Sequence, residues 1–550
     1  MTDGWRVKFL SWRKSESSIR WIQTASFLCV LLLVFIGWQM RNSITDIPLS
    51  DPDTKGYLNP ALSWLSGLGF LQSNGREWFY SAVLAGILKF GGNFTAISHF
   101  QQIFGLLGTL ILWLAVVRWL SLLAAGNTDI HLLGHFLLIP ALALYVLNPN
   151  VIIFEKFVRP ESLMLLFVFC YFLALVSFFI ERWQRGRIMP AILYGSAVLF
   201  SSFMVFQLKA SWTLALPLSL LPLLAGIFGK GSLSLRIGPL VGGVILAGLF
   251  MTGPRVTHFQ KEERTITYLP YTLVSIHAEG IVEDGKKRML TAPPEQKDIL
   301  SHFIPDLEKA LIEAKKHPEH FWVVGYQADD IMYLSGVFEP RKYNPAWDIH
   351  SFTNFCYSLY FNAWLGAPVT MLEKVGRQLP LFLFPKTSDY FYMTGKRPKG
   401  YNYQHSLDAL HADHFSLSSR TESLYANYLA DLRVATGQPN EIRTPALLVF
   451  LGTLLARIGF WIQLVFLLTL LTAFQKSEFA AKLAGLCVLS LLASVWGYIM
   501  TIALVHTLDN SRYRTTLTAF YGTVLIMMLI FSIATLTRVF FNYKNRDLAE

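Results

Sequence analysis

The stretch SLMLLFVFCYFLALVSFFI, residues 162–180, decides the fold class of this chain. It has no charged side chain, and a helix of this length rises about 28 Å, close to the hydrocarbon thickness of a bilayer. The sequence therefore predicts an all-α polytopic membrane protein with about ten transmembrane helices. The runs that meet or approach the required length are 22–40, 95–117, 130–147, 162–180, 189–207, 211–228, 235–253, 445–473, 483–505 and 516–537.

The composition excludes two other classes of protein. Of the 550 residues, 53% are hydrophobic and 15% are charged, whereas soluble domains carry about 25% charged residues. The 42 Phe, 22 Tyr and 15 Trp exclude a disordered or fibrous chain. Three of the four cysteines lie inside apolar runs and no CxxC pair occurs, so we expect neither a disulfide framework nor a cysteine metal site.

Basic residues beside the apolar runs predict the orientation of the chain. Several cations precede the first run, which lacks a small-residue cleavage site, so we expect a retained anchor with a cytoplasmic N-terminus. Alternation from there makes every cytoplasmic loop basic and places the C-terminus inside, as the positive-inside rule requires. The cytoplasmic cations are Arg118, Arg182, Arg185, Arg187, Lys230, Arg236, Lys476, Lys482, Arg538, Lys544 and Arg546. Much of the net charge of +11 is thus explained by orientation, without nucleic acid as a partner.

The same alternation predicts three parts of the chain. Residues 1–254 form a transmembrane module with an outer loop at 41–94, and residues 444–550 form the C-terminal transmembrane helices. Residues 255–443 are expected to form a small mixed extracytoplasmic domain. Short apolar segments at 57–70 and 78–91 predict helices in the interface plane, and 355–371 is favoured as an interfacial or buried helix over an inserted one. The compact loops favour a bacterial inner membrane, with the functional face toward the periplasm.

Several cations lie near the membrane on the predicted outer side, where orientation does not need them. They are Lys156, Arg159, Lys209, Arg255, Arg512 and Arg514. Each alone fits a side chain that reaches toward lipid headgroups. Together, cations from four separate turns would attract a membrane-anchored phosphate. We therefore expect a site for a lipid phosphate or diphosphate.

Acidic residues lie on the same predicted side. Asp51 and Asp53 precede an expected helix, and Glu161 begins the fourth span. A carboxylate beside such cations can accept a proton from an incoming hydroxyl, although a helix N-cap explains Asp53 equally well. The Asp51-Pro52-Asp53 triplet leaves a divalent cation possible, and no convincing set of metal ligands is present. His411-Ala-Asp413-His414 lacks a further ligand.

The order of these motifs resembles the GT-C membrane glycosyltransferases, in the branch of the protein O-mannosyltransferases and aminoarabinose transferases. Asp53-Thr-Lys-Gly-Tyr57-Leu resembles the first outer loop of that family, with its essential acid. Arg159-Pro160-Glu161 opens a span where relatives carry a second acid, Lys209 resembles the outer lysine that contacts the lipid phosphate, and Arg512-Tyr513-Arg514 resembles a late Arg-Tyr pair. No Trp-Trp-Asp motif of the oligosaccharyltransferases occurs.

The resemblance and the charges together predict inverting or retaining transfer of a sugar. The donor is expected to be a polyprenyl-phosphate sugar, and the acceptor a hydroxyl of an envelope lipid, glycan or protein. Asp53 is the expected base with Asp51 as the alternative, while Glu161 and Tyr57 position substrate and the cations hold the phosphate. The alternatives are a transporter or flippase of a lipid-linked sugar, and a structural assembly subunit.

Overall fold

A computed structural model describes most of the chain as helices. It describes residues 16–71, 77–124, 126–253, 269–316, 324–383, 403–411, 415, 417–436, 442, 445–506 and 510–547. The helices in the first half are α1 Glu16–Asn42, α2 Thr54–Leu65, α3 Trp78–Gly91, α4 Thr95–Ala124, α5 Thr128–Val146, α6 Pro149–Phe154, α7 Glu161–Phe179, α8 Ile188–Leu208, α9 Ala215–Ile227 and α10 Leu233–Phe250. Those in the second half are α11 Leu269–Ile276, α12 Ala278–Thr291, α13 Pro294–Ala314, α14 Pro340–Tyr343, α15 Ile349–Gly366, α16 Pro368–Leu383, α17 Tyr403–His411, α18 Ser419–Ala435, α19 Ala446–Lys476, α20 Phe479–Val505 and α21 Asn510–Asp547.

The chain is an all-α polytopic membrane protein, as predicted. Within the described residues, nine helical stretches are long and apolar enough to cross a bilayer. They correspond to α1, α4, α5, α7 with its π-helical end Ile180–Arg185, α8, α10, α19, α20 and residues Phe520–Phe540 of α21. Eight of the other helices lie between α10 and α19, and α2, α3, α6 and α9 are short.

The predicted span at 211–228 is shorter than expected. A 3-10 turn at Ala210–Trp212 precedes α9, which has 13 residues and rises only about 20 Å. Pro222 lies inside α9 and provides no backbone donor for the helix. The helices expected at 57–70 and 78–91 are present as the short helices α2 and α3, and α3 is apolar apart from Ser81 and Lys89. Their position in the interface plane stays a prediction.

The chain divides into two compact units. Unit 1 comprises residues 1–262, 388–497 and 514–550, and unit 2 comprises 263–387 and 498–513. Unit 1 therefore contains most of the transmembrane helices together with α17 and α18. The predicted outer segment 255–443 is thus divided between the two units.

Unit 2 is helical, which corrects the expectation of a mixed domain. The described residues of 255–443 contain helices and turns and no strand. In α13 the buried residues Leu300, Phe303, Leu307 and Leu311 recur every three or four positions, which is the period of a helix with one buried face. The segment 355–371 spans α15 and α16, and α15 packs its apolar face into the core of unit 2.

Candidate functional site

The candidate site lies in unit 1, next to a short parallel backbone pairing between two loops. Leu49, in the loop before α2, pairs with Phe157, in the turn between α6 and α7. The Leu49 N–H donates to the Lys156 carbonyl over 2.7 Å, and the Val158 N–H donates to the Leu49 carbonyl over 2.9 Å. This pairing brings the residues that follow Leu49 beside Arg159.

Helices α17 and α18 fix the same loop from another direction. Ser406 Oγ donates to the Ser50 carbonyl over 2.9 Å, and the Tyr428 hydroxyl donates to the Pro48 carbonyl over 2.8 Å. The Tyr428 ring also stacks on Phe94, with ring centroids 4.1 Å apart. Residues distant in sequence therefore hold the backbone immediately before Asp51.

Asp51 closes the turn that leads into α2. Its Oδ1 accepts from the Asp53 N–H over 3.0 Å and from Thr54 Oγ1 over 3.3 Å. Asp53 is the N-cap residue of α2 but makes no side-chain capping hydrogen bond. The side chain of Asp53 therefore does not have the capping role considered for it, and the carboxylate that closes the turn is that of Asp51.

Five charged residues meet beyond this turn and form what we call the Arg159 cluster: Asp51, Asp53, Arg159, Glu161 and Lys209. The Arg159 guanidinium contacts the Asp51 carboxylate, lies 3.3 Å from Asp53 Oδ2 and lies 3.8 Å from Glu161 Oε1. Lys209 Nζ donates to Glu161 Oε1 over 2.7 Å. The predicted acids and two of the predicted cations therefore form one contiguous group.

Exposure separates Asp53 from the rest of the cluster. The Asp53 side chain is 32% exposed, whereas the other four are between 2% and 8% exposed. Charged groups this deeply buried require partners, and the cluster supplies them. Asp53 is the member whose carboxylate an external molecule can reach most readily.

Helix ends place Glu161 and Lys209 against each other. Glu161 lies in the first turn of α7 and Lys209 is the C-cap residue of α8. Because α7 and α8 are joined by a short connection after the π-helical end, the start of one lies beside the end of the other. The partial positive charge at the N-terminus of α7 also favours a carboxylate there.

Lys156 lies in the same turn but belongs to a separate ion pair. Its Nζ lies 2.7 Å from Asp46 Oδ1, and His99 Nε2 lies 3.1 Å from Asp46 Oδ2. Burial raises the pKa of Asp46, but the hydrogen bond and charge of Lys156, with His99, outweigh it and leave that pKa below its usual value. Burial lowers the pKa of Lys156 despite this partner. Lys156 is thus held by Asp46 and not by the Arg159 cluster.

A second buried ion pair holds the turn between α6 and α7 against the end of α1. Arg41, at the end of α1, donates from Nε and Nη2 to the two carboxylate oxygens of Glu155 over 2.6 and 2.7 Å. Arg41 Nη1 also donates to the Val146 carbonyl over 2.9 Å. Burial raises the pKa of Glu155, while the charge and hydrogen bonds of Arg41 oppose that rise. The sequence did not single out Arg41, although a basic residue directly after a span was a visible signal.

Tyr57 neighbours Tyr80, which lies close to Glu161 and Arg159. Its ring packs edge-on against Tyr80, with centroids 5.2 Å apart, and is buried. The Tyr80 hydroxyl and Ser162 Oγ both donate to Gln101 Oε1, over 3.2 and 2.9 Å. Gln101 was also missed by sequence reasoning, although a polar residue within an apolar span often marks a functional position.

The remaining predicted residues are not placed by the structure. Arg255 lies outside the described residues, and the side chains of Arg512 and Arg514, in the first turn of α21, lie outside them as well. Residues 412–414 of the predicted His-Ala-Asp-His motif are likewise not described. Among the residues that are, no group of three or more His, Cys, Asp or Glu is placed to hold a metal ion.

No protein-family model, curated protein or solved structure matches the chain. The resemblance to the GT-C transferases therefore depends on the order of the short motifs and stays a prediction. The chain is a multi-pass membrane protein with a buried charge cluster at the start of α7 and the end of α8.

Proposed function

We propose that the chain is an integral membrane glycosyltransferase of the GT-C type. It moves a sugar from a polyprenyl-phosphate donor to a hydroxyl of an envelope lipid, glycan or protein on the extracytoplasmic face. The observation that carries the proposal is the half-buried Asp53 carboxylate, 3.3 Å from a guanidinium that is itself buried. A group-transfer site needs this combination of a reachable base and fixed cations.

In the proposed reaction the acceptor oxygen attacks the anomeric carbon of the donor sugar. The bond between that carbon and the phosphate oxygen breaks, and its electron pair stays on the phosphate. The acceptor hydroxyl loses its proton to Asp53. Arg159 and Lys209 stabilise the negative charge that grows on the leaving phosphate, which is where fixed charges lower a barrier most.

The different contacts of the two aspartates support Asp53 over Asp51 as the base. Asp51 is buried and engaged by the backbone of the turn and by Arg159. Its role is to position Arg159 and the start of α2. The Asp53 carboxylate is 32% exposed and contacts Arg159, so a substrate can reach it more readily than Asp51.

The location of the cluster supports transfer over transport. Transporters usually place their ionisable residues near the bilayer midplane within paired repeats. Here the cluster lies at the N-terminal end of α7 and the C-terminal end of α8. Catalysis at helix ends gives both a lipid donor and a water-exposed acceptor access to the same point.

The test is a reconstitution of the full chain in liposomes with a synthetic polyprenyl-phosphate sugar and an extract of envelope acceptors. We expect acceptor-dependent release of polyprenyl phosphate by the wild type, and a loss of about 100-fold or more in Asp53→Asn. Movement of the donor across the bilayer without release would identify a transporter. Absence of both activities would favour a structural subunit.

A further inference from the structure

Glu161 is the carboxylate that lies between the two cations of the Arg159 cluster. Its Oε1 lies 2.7 Å from Lys209 Nζ and 3.8 Å from Arg159 Nη1. Its side chain is 2% exposed, so these attractions are weakly screened by water. The two cations proposed to hold the donor phosphate therefore already share one anion.

We infer that Glu161 is a specificity-determining residue that limits the negative charge of the lipid phosphate, so that the site accepts monophosphate-linked donors and disfavours diphosphate-linked ones. The inference rests on the proposed function and names its donor class. The reason is that a phosphate approaching Lys209 and Arg159 also approaches the Glu161 carboxylate. The incoming group must share both cations with Glu161, and it must tolerate the charge of that carboxylate.

The number of charges on the donor decides the size of this effect. A polyprenyl monophosphate sugar is a phosphodiester with one negative charge, whereas the diphosphate carries two. In a poorly screened site the repulsion from one fixed carboxylate grows with the charge of the ligand. Asp51 and Asp53, which share Arg159, act in the same direction. The penalty is therefore greater for the diphosphate.

Glu161 has a matched control in the same turn. Glu155 is a buried carboxylate, as Glu161 is. It pairs with Arg41, which lies outside the Arg159 cluster, whereas Glu161 pairs with Lys209 and Arg159. Changing either glutamate to glutamine removes one buried charge and leaves an amide beside a cation. A change in ligand selectivity that results from general loosening of the turn would appear in both variants.

The experiment measures binding and needs neither a sugar nor turnover. The probes are the methyl esters of farnesyl phosphate and farnesyl diphosphate, which carry one and two negative charges. The ratio of their dissociation constants is measured on the purified full chain for the wild type, Glu161→Gln, Glu161→Asp and Glu155→Gln. A ratio reports charge selectivity, which a merely structural role of Glu161 would not move.

We expect the wild type to bind the monophosphate ester about tenfold more tightly, and Glu161→Gln to reduce that preference by about tenfold. Glu161→Asp and Glu155→Gln should keep the wild-type ratio. If Glu161→Gln does not fold, Glu161→Met removes the same charge at similar volume and is held to the same expectation.

An unchanged ratio in the folded Glu161 variant would overturn the inference, and so would binding of neither ester to the wild type. The proposed function fails separately. Sugar transfer with an unchanged ratio would leave the transferase standing without this role for Glu161. A shifted ratio without transfer would leave a charge-selective phosphate site in a protein that is not a transferase.

Discussion

Asp51 and Asp53 lie two positions apart in one turn, and their surroundings give them different roles. The Asp51 carboxylate is 4% exposed and the Asp53 carboxylate 32%. The sequence predicted that both acids belong to a site with Arg159, and the structure brings all three together. It did not predict which acid closes the turn, because that depends on the side-chain directions of Asp51 and Thr54.

Gly105 gives a test of the buried Arg41–Glu155 ion pair, which holds the turn before Arg159. A Cβ atom at this position in α4 would overlap Glu155 Oε1, so Gly105→Ala should break the buried Arg41–Glu155 pair. Loss of one partner of a buried ion pair costs about 3–5 kcal/mol, and we expect a loss of folding stability of that order. Thermal unfolding of the purified protein in detergent measures it.

The control for Gly105 is Gly86, in α3, where an added Cβ meets no atom within 4 Å. Gly86→Ala should be neutral or stabilise by up to about 1 kcal/mol, because alanine favours a helix over glycine. Equal stabilities of the Gly105 and Gly86 variants would contradict the packing described for Glu155.

At the scale of elements, the end of α20 depends on side chains from α16. Lys374 Nζ donates to the Ala503 carbonyl over 2.6 Å, and Gln378 Nε2 donates to the His506 carbonyl over 3.0 Å. The Tyr360 hydroxyl from α15 donates to the Leu504 carbonyl over 3.3 Å. These donors satisfy carbonyls that a helix leaves free at its C-terminus, so the last residues of α20, which belong to unit 2, are held by side chains of that unit.

His277, between α11 and α12, predicts a pH dependence for this unit. It is 2% exposed, it packs against Tyr360 and Trp364, and neither ring nitrogen has a hydrogen-bond partner among the described residues. Burial and the nearby charge of Lys374 hold the pKa of His277 well below its usual range. The unfolded chain takes up a proton below about pH 6.5 and the folded chain does not. Acidification below that value should therefore favour unfolding, by up to about 1.4 kcal/mol per pH unit.

The measurement uses Cys356, which is buried in the core of unit 2. Its labelling by a thiol reagent, in a variant without the other three cysteines, reports opening of this unit between pH 7 and pH 5. His277→Phe keeps a ring in place and should remove the acid-dependent part of the opening, whereas His302→Gln, at an exposed histidine of the same unit, should keep it. The same pH slope in His277→Phe and the parent would exclude His277 as its source.

Some helices could be predicted from the sequence more easily than others. The long apolar runs specify their own helices, and the spacing of Leu300, Phe303 and Leu307 also indicates a helix. The prediction of a mixed domain overlooked that period. The run 211–228 has enough apolar residues to span, but the turn at Ala210–Trp212 and Pro222 shorten its helix.

At the scale of the whole molecule, cations predicted to share the cytoplasmic side do meet. Arg118, Arg185 and Arg187 all lie within 3.6 Å of the buried Glu181 carboxylate. Glu181 lies at the far end of α7 from Glu161, in the π-helical segment. These contacts place the three arginines at one end of α7, as the predicted alternation requires. The side of the membrane that this end faces stays a prediction.

The division into units could not be read from the sequence. Helices α17 and α18 lie within the predicted outer segment 255–443, yet Ser406 and Tyr428 bind the loop at residues 48–50 of unit 1. Hydrogen bonds between residues more than 350 positions apart leave no local pattern. The Arg41–Glu155 pair, 114 positions apart, escaped prediction for the same reason.

Cysteine labelling tests the proposed orientation of the whole chain. In a cysteine-free background, Leu68→Cys should react with a membrane-impermeant reagent in intact cells, because Leu68 is exposed and lies in the predicted outer loop 41–94 that carries Asp51 and Asp53. Arg185→Cys, at an exposed position near Glu181, should react only after permeabilisation. The reverse pattern would place the cluster in the cytoplasm, where the argument for a lipid-linked donor fails.

Asp53 is proposed as the base of a sugar transfer at the Arg159 cluster. The most direct measurement compares acceptor-dependent release of polyprenyl phosphate by the wild type, Asp53→Asn and Asp46→Asn in liposomes. Asp46 is a carboxylate of similar exposure that is paired with Lys156 outside the cluster. We expect a loss of about 100-fold or more for Asp53→Asn and a rate near wild type for Asp46→Asn. Equal release by Asp53→Asn and the wild type would contradict this role of Asp53.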